Sequence, residues 1–235
     1  MEPNYVLRLE ANGPLGLGME RLELDPADFQ SALPEQHWHL YHADEAAGLY
    51  VGVWTTTDMQ EAFGPYPGDE FMVLLEGRVA LVGADGAEKV IEAGEAFTIR
   101  NGVPISWKQV GFCRKFFVIW APPGRERPAL ASAEGGVSVL ARLDAPAGSG
   151  ASEFESMDGC MTAKSLAGDA IGKCIDDPTH RLVWVERGSL RLTGAEGSSM
   201  SLAVGDTVFI PAGIAVSAEA DDNARACVCA VRIAP

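Results

Sequence analysis

Positive charge is what this chain is short of: 18 Lys and Arg stand against 33 Asp and Glu, a formal net charge of -15 at pH 7. Such a surface repels phosphate backbones and anionic bilayers unless a local basic cluster overrides it. None is present; the tightest group, Arg125 with Arg127 after Pro122-Pro123, reads as a solvated linker. Nucleic acid and membrane surfaces are therefore not expected as partners. Long apolar runs are missing too, none approaching the ~20 residues that span a bilayer. Met1-Glu2-Pro3-Asn4 has neither the basic end nor the apolar stretch of a signal peptide, which points to the cytoplasm. The five cysteines are odd in number and form no Cys-x-x-Cys pair, so reduced, mostly buried thiols are expected. Of four histidines three fall at His37, His39 and His42, and no Ser-His-Asp or Cys-His arrangement can be assembled. Gly13-Pro-Leu-Gly-Leu-Gly18 lacks the strand and helix that a phosphate cradle needs. Helical periodicity is nearly absent, with one short turn expected at Pro26–Leu33.

What the chain has instead is itself, twice. At an offset of 111 residues Gly77, Gly83, Gly86, Gly94 and Gly102 fall on Gly188, Gly194, Gly197, Gly205 and Gly213. Few other side chains match, so the recurring element is a set of turns that need a positive φ or a tight reversal. Glu70 falls on Arg181, Arg100 on Pro211 and Trp107 on Ala218, so the copies share a fold but not a chemistry. Hydrophobic residues at 47% and charged ones at 22% suit folded domains rather than a disordered chain. Within each copy, short Val-, Ile-, Leu- and aromatic-rich runs are separated by Gly-Asp and Gly-Glu turns, which predicts an all-β sandwich or barrel. Phe71–Leu75 and Leu182–Val185 are apolar on both faces, so something must cover the outer one: the sibling domain, the N-terminal fifty residues or a second protomer, as in a homodimer.

Gly205-Asp-Thr-Val-Phe-Ile-Pro211-Ala-Gly213 resembles the second motif of the cupin superfamily, and Glu70-x6-Gly77 resembles the end of its first. Over residues 37–235 the chain looks like a bicupin, which implies two tandem jelly-roll β-barrels. Gly52-Val-Trp54, Asp69-Glu70-Phe71, Leu75-Glu76-Gly77, Trp107 and Arg114-Lys-Phe-Phe-Val118 are similar to the subfamily of ureidoglycine aminohydrolase and the ethanolamine-utilisation protein Q. The organisation expected is an N-terminal segment (1–36) packing across the barrels, a first barrel (37–121), a linker (122–149) with a strand near Val137–Leu143, and a second barrel (150–235).

Metal-binding cupins supply His-x-His and Glu from the first motif and a further His from the second. Here Gly64-Pro-Tyr66 stands in place of His-x-His, Glu70 is kept, and Ile105 takes the second histidine position. In the second copy Arg181 and Val216 take the Glu and His positions. A lone carboxylate does not hold a transition ion, and an arginine repels one, so neither barrel is expected to bind metal in the usual geometry. An alternative is zinc or manganese at Cys174-x-Asp176-x3-His180, although His180 lies one position off the glycine register and faces away from Arg181. Arg181, directed into the second barrel, needs a partner: a bound anion, or Asp176 or Glu186. Glu70 needs one in the first, and Tyr66, Arg100, Trp107 and Lys115 are its expected neighbours. These features lead to a metal-free small-molecule-binding protein, a sensor or accessory in small-metabolite metabolism. Its pocket is lined by Tyr66, Glu70, Arg100 and Trp107, Arg181 is a further ligand contact, and a small organic acid is a candidate ligand. The alternatives are a metal-dependent hydrolase or lyase using the atypical ligands, and a purely structural bicupin.

Overall fold

Hairpin turns carry the repeat into three dimensions with the same hydrogen bonds in each copy. Gly83 N–H donates to Ala87 O and Gly86 N–H to Gly83 O; 111 residues on, Gly194 N–H donates to Ser198 O and Gly197 N–H to Gly194 O. A central strand recurs at the same offset, Asp69–Glu76 with His180–Arg187. The structure is a computed structural model that describes residues 5–128, 130, 132, 134–143, 152–175 and 177–233. It divides into two compact units, residues 10–139 and residues 1–9 with 140–235.

The first unit is a jelly roll of two sheets around an apolar lumen. Its larger sheet runs in the order Val137–Arg142, Glu95–Ile99, Asp69–Glu76, Cys113–Trp120, Leu49–Thr56, Gln36–Asp44, Glu20–Arg21. The chain passes from one unit to the other within Val137–Arg142, the strand expected in the linker. The smaller sheet runs Met59–Gln60, Pro104–Gln109, Arg78–Val82, Glu88–Glu92, with Gly64–Pro65 also paired to Pro104–Gln109. The second unit repeats the plan: Leu7–Arg8, Thr207–Ile210, His180–Arg187, Arg225–Val231, Met161–Ala167, Glu153–Glu155 in the larger sheet, and Ser199–Leu202, Leu190–Gly194, Val216–Ala220 in the smaller. Even an irregularity recurs. Leu75 drops out of pairing between Leu74 and Glu76, and Glu186, its counterpart, drops out between Val185 and Arg187.

Two expectations need correcting. A helix, Asp169–Ile175, forms where the first unit has the short strand Met59–Gln60. It is too short to show a period in sequence, and what stabilises it is burial: Ile171 and Ile175, four apart and so on one side, are both fully buried in the second core. Arg125 is not a solvated linker residue, because its guanidinium sits 2.7 Å from Asp69, whose carboxylate is fully buried and also accepts from Asn101 N–H at 3.0 Å. The short turn expected near Pro26 is present as Pro26–Asp28, its first N–H groups capped by Asp25. Asp69–Glu76 is buried on both faces within the single chain, so that strand does not call for a second protomer. All five cysteines are thiols outside any disulfide, three of them buried. Among the described residues no helix is long and apolar enough to cross a membrane.

Candidate functional site

The two-residue alternation of the strands aims a specific set of side chains into the first lumen. On Asp69–Glu76 these are Glu70, Met72 and Leu74. Directly opposite them on Cys113–Trp120 lie Ile119, Phe117 and Lys115, and on Glu95–Ile99 Ile99 faces Glu70 and Phe97 faces Met72. Trp54 stands across from Lys115 on the other side, and Trp107 enters from the smaller sheet. Apart from Glu70 and Lys115, this face belongs to one apolar cluster that includes Met72, Leu74, Phe97, Ile99, Trp107 and Phe117. Those two are therefore charges sunk in a hydrocarbon core, 5% and 7% exposed, and they are stable there only if they satisfy each other.

They do. The Lys115 side chain runs along the sheet past Met72, its Nζ 3.1 Å from the sulfur, and donates to Glu70 Oε1 at 2.8 Å. Tyr66 O–H donates to Glu70 Oε2, so both carboxylate oxygens are occupied. The ammonium also lies over the Trp54 and Trp107 rings, 4.9 and 4.6 Å from their centroids, with the two indoles edge to face at 5.9 Å. Each indole is anchored in turn: Trp107 Nε1 donates to Gln109 Oε1 at 2.9 Å and Trp54 Nε1 to Gln36 Oε1 at 3.3 Å. Burial, reinforced by the Glu70 and Glu61 charges, pushes the Tyr66 phenol well above its ordinary value. Glu61, half-buried beside this group, has a carboxyl pushed up to about 7: burial raises it, Lys115 opposes the rise, and Glu70 and Asp28 add to it.

Of the residues singled out in sequence, the structure thus gathers Tyr66, Glu70 and Trp107, with Lys115 as the link. Arg100 stands apart from Glu70. It follows Ile99, whose side chain shares the inner face, so alternation turns it to the other side, and its backbone N–H bonds to Gly136 O. Arg181 is 1% exposed in the second unit. Its Nη1 donates to the carbonyls of Ile175 and Asp177, and Nη2 reaches Ile214 O at 3.5 Å, which ties down the end of Asp169–Ile175. Glu186 pairs instead with Arg225 at 3.5 Å. Cys174 lies on that helix, its thiol raised chiefly by burial. His180 Nδ1 accepts from Ala212 N–H at 3.3 Å while its ring stacks on Phe209. Asp176, the third member of that trio, lies outside the described residues. Reading the sequence missed Glu61 entirely and passed over Trp54 as a motif residue only. For Trp54 a signal existed, since it shares an alternation face with Tyr50 and Gly52; for Glu61, in Gln60-Glu61-Ala62-Phe63 ahead of a glycine, none did.

A transition ion does not fit the first lumen. Its usual place beside Glu70 is faced by an ammonium 2.8 Å from the carboxylate, whose second oxygen is held by a phenol. A divalent cation there would meet one engaged anionic donor and a positive charge. Among the described residues no three His, Cys, Asp or Glu side chains converge as a metal-holding group.

Residues 44–117 match a family profile described as EutQ-like cupin domain. No curated protein matches the chain. Among solved structures, a protein of unknown function of the DUF861 family from Pseudomonas syringae pv. tomato superposes with a TM-score of 0.66 at 19% identity, over 96% of this chain and 99% of that one. A cupin 2 conserved barrel domain protein from Leptotrichia buccalis gives 0.56 at 14%, over 92% and 100%. Protein Ylba from E. coli, of the DUF861 family, gives 0.54 at 11%, over 97% and 95%. At these identities the likeness is one of fold.

Proposed function

We propose that the chain is a cupin, as its match to the EutQ-like cupin domain over residues 44–117 supports, and from that premise that it is a metal-free small-molecule-binding protein whose site is the first lumen. It serves as a sensor or accessory protein in small-metabolite metabolism. One observation carries this reading: a Lys115–Glu70–Tyr66 network, set against two anchored indoles, stands where the superfamily places its metal. Polar groups converging on an aromatic wall are what a small polar ligand requires, and a buried charged network gives up free energy that packing alone would supply. Arg100 and Arg181 are not part of the pocket proposed. The cytoplasm is the proposed location, supported by five cysteines that are thiols rather than disulfides.

The test has two steps. Elemental analysis of the purified full chain is expected to find Mn, Fe, Ni and Zn far below stoichiometric, and a stoichiometric ion would overturn the reading. Thermal-shift screening against small organic acids, amines and sugars is then expected to find a stabilising class. Glu70→Ala should abolish that stabilisation; a variant that responds like wild type puts the site elsewhere.

A further inference from the structure

The ammonium of Lys115 is held as a guest is held by a receptor. It donates to a Glu70 oxygen at 2.8 Å, lies 3.1 Å from the Met72 sulfur, and faces the Trp54 and Trp107 rings at 4.9 and 4.6 Å. A carboxylate, a soft acceptor and two indole faces are the parts from which proteins build sites for alkylammonium groups. Glu61 lies close enough to feel both the Lys115 and the Glu70 charges, and Tyr66 closes the far oxygen of Glu70. An organic acid entering this space would meet two carboxyl groups and an ammonium already engaged. An amine, once Lys115 is withdrawn, would meet indole faces and a carboxylate. The same contacts suit recognition of a cation.

We infer that the first lumen is an alkylammonium receptor filled in cis by Lys115, and that the ligand it takes in trans is a small primary amine rather than an organic acid. The second half rests on the small-molecule-binding reading above. A tethered occupant competes at a high effective concentration, so the receptor is best exposed by removing it.

The experiment is a thermal titration of full-length Lys115→Ala with propylammonium chloride, and with sodium propionate at equal ionic strength. The amine is expected to raise the midpoint by several degrees, saturating by about 100 mM, while propionate moves it by less than about 1 °C. Lys115→Met, which fills the stem without a charge, is expected to respond to neither. Where Lys115→Ala is recovered only from denaturant, the same comparison is made as refolding yield, with a higher yield in amine expected. No response to amine, an equal response to propionate, or an equal response of Lys115→Met overturns the inference. Organic acids that stabilise wild type in a Glu70-dependent way would leave the pocket standing and overturn the amine. If the amine rescues Lys115→Ala while no small molecule stabilises wild type, the receptor stands and ligand binding in trans falls with the proposed function.

Discussion

Lys115 and Glu70 can be replaced together far more cheaply than singly. Removing one partner of a buried ion pair strands the other, at about 3–5 kcal/mol, whereas replacing both by apolar groups of similar volume is often neutral or stabilising. Lys115→Ala is therefore expected to lower the unfolding free energy by about 3 kcal/mol or more, and Lys115→Met with Glu70→Leu to return it near wild type in urea denaturation. A small loss in the single variant would mean that water reaches the pair. Glu61 makes a second prediction, in pH. Its carboxyl is raised from 4.5 to about 7 in the folded chain, so between those values the unfolded chain has released the proton and the folded chain still holds it. Stability is then lost as pH rises through that window and levels off above it. Denaturation midpoints of wild type and Glu61→Gln, compared from pH 5 to pH 8, should show the variant gaining on wild type; parallel curves would refute the assignment.

Between elements, glycines are where the repeat can be probed. Gly77 joins Asp69–Glu76 to Arg78–Val82 at φ 89°, and a Cβ there would run into the Phe112 carbonyl. Gly86 has φ 78° in a hairpin with open space around it. Gly86→Ala should thus cost only the backbone strain, about 1 kcal/mol, and Gly77→Ala clearly more, because strain and collision add. Equal losses in thermal unfolding would show that the turn yields. This contrast explains what could be foreseen. Turns, strands and the barrel plan were legible, since glycine register and alternating apolar runs are local properties of the chain. Asp169–Ile175 was not, because two isoleucines on one side make a helix only when a core receives them. Of the site, Glu70, Tyr66 and Trp107 were legible through their offset from a motif. The partner of Glu70 was open between two cations; Lys115 lies on the inward face of its strand, whereas Arg100 follows the last residue of Glu95–Ile99. Among the described residues Arg181 is held by backbone carbonyls, partners that side-chain patterns do not announce.

At the scale of the molecule, sequence neighbours and spatial neighbours part at the amino terminus. Leu7–Arg8 is the edge strand of the second unit's larger sheet, pairing with Val208 and Phe209. Arg8 adds bonds to Asp206 at 2.8 Å and to Ser201 O at 2.7 Å, and Leu9 N–H one to Thr207 O at 2.9 Å. Nothing local in these residues announces a partner so far along the chain, which is why they were read as part of a covering segment. Deleting residues 1–9 is expected to speed hydrogen exchange at Thr207–Ile210 at least about tenfold while Glu95–Ile99 keeps its protection; uniform loss, or none, would contradict the division into units.

That edge strand also sets an order of events during synthesis. Arg8 and Asp206 lie 198 residues apart, so at ordinary elongation rates Leu7–Arg8 is made about 10 to 40 s before its docking strand. The first barrel can close while translation continues, but Leu7–Arg8 must wait for Thr207–Ile210 to be made before it can pair. A strand made early is among the last to find its seat.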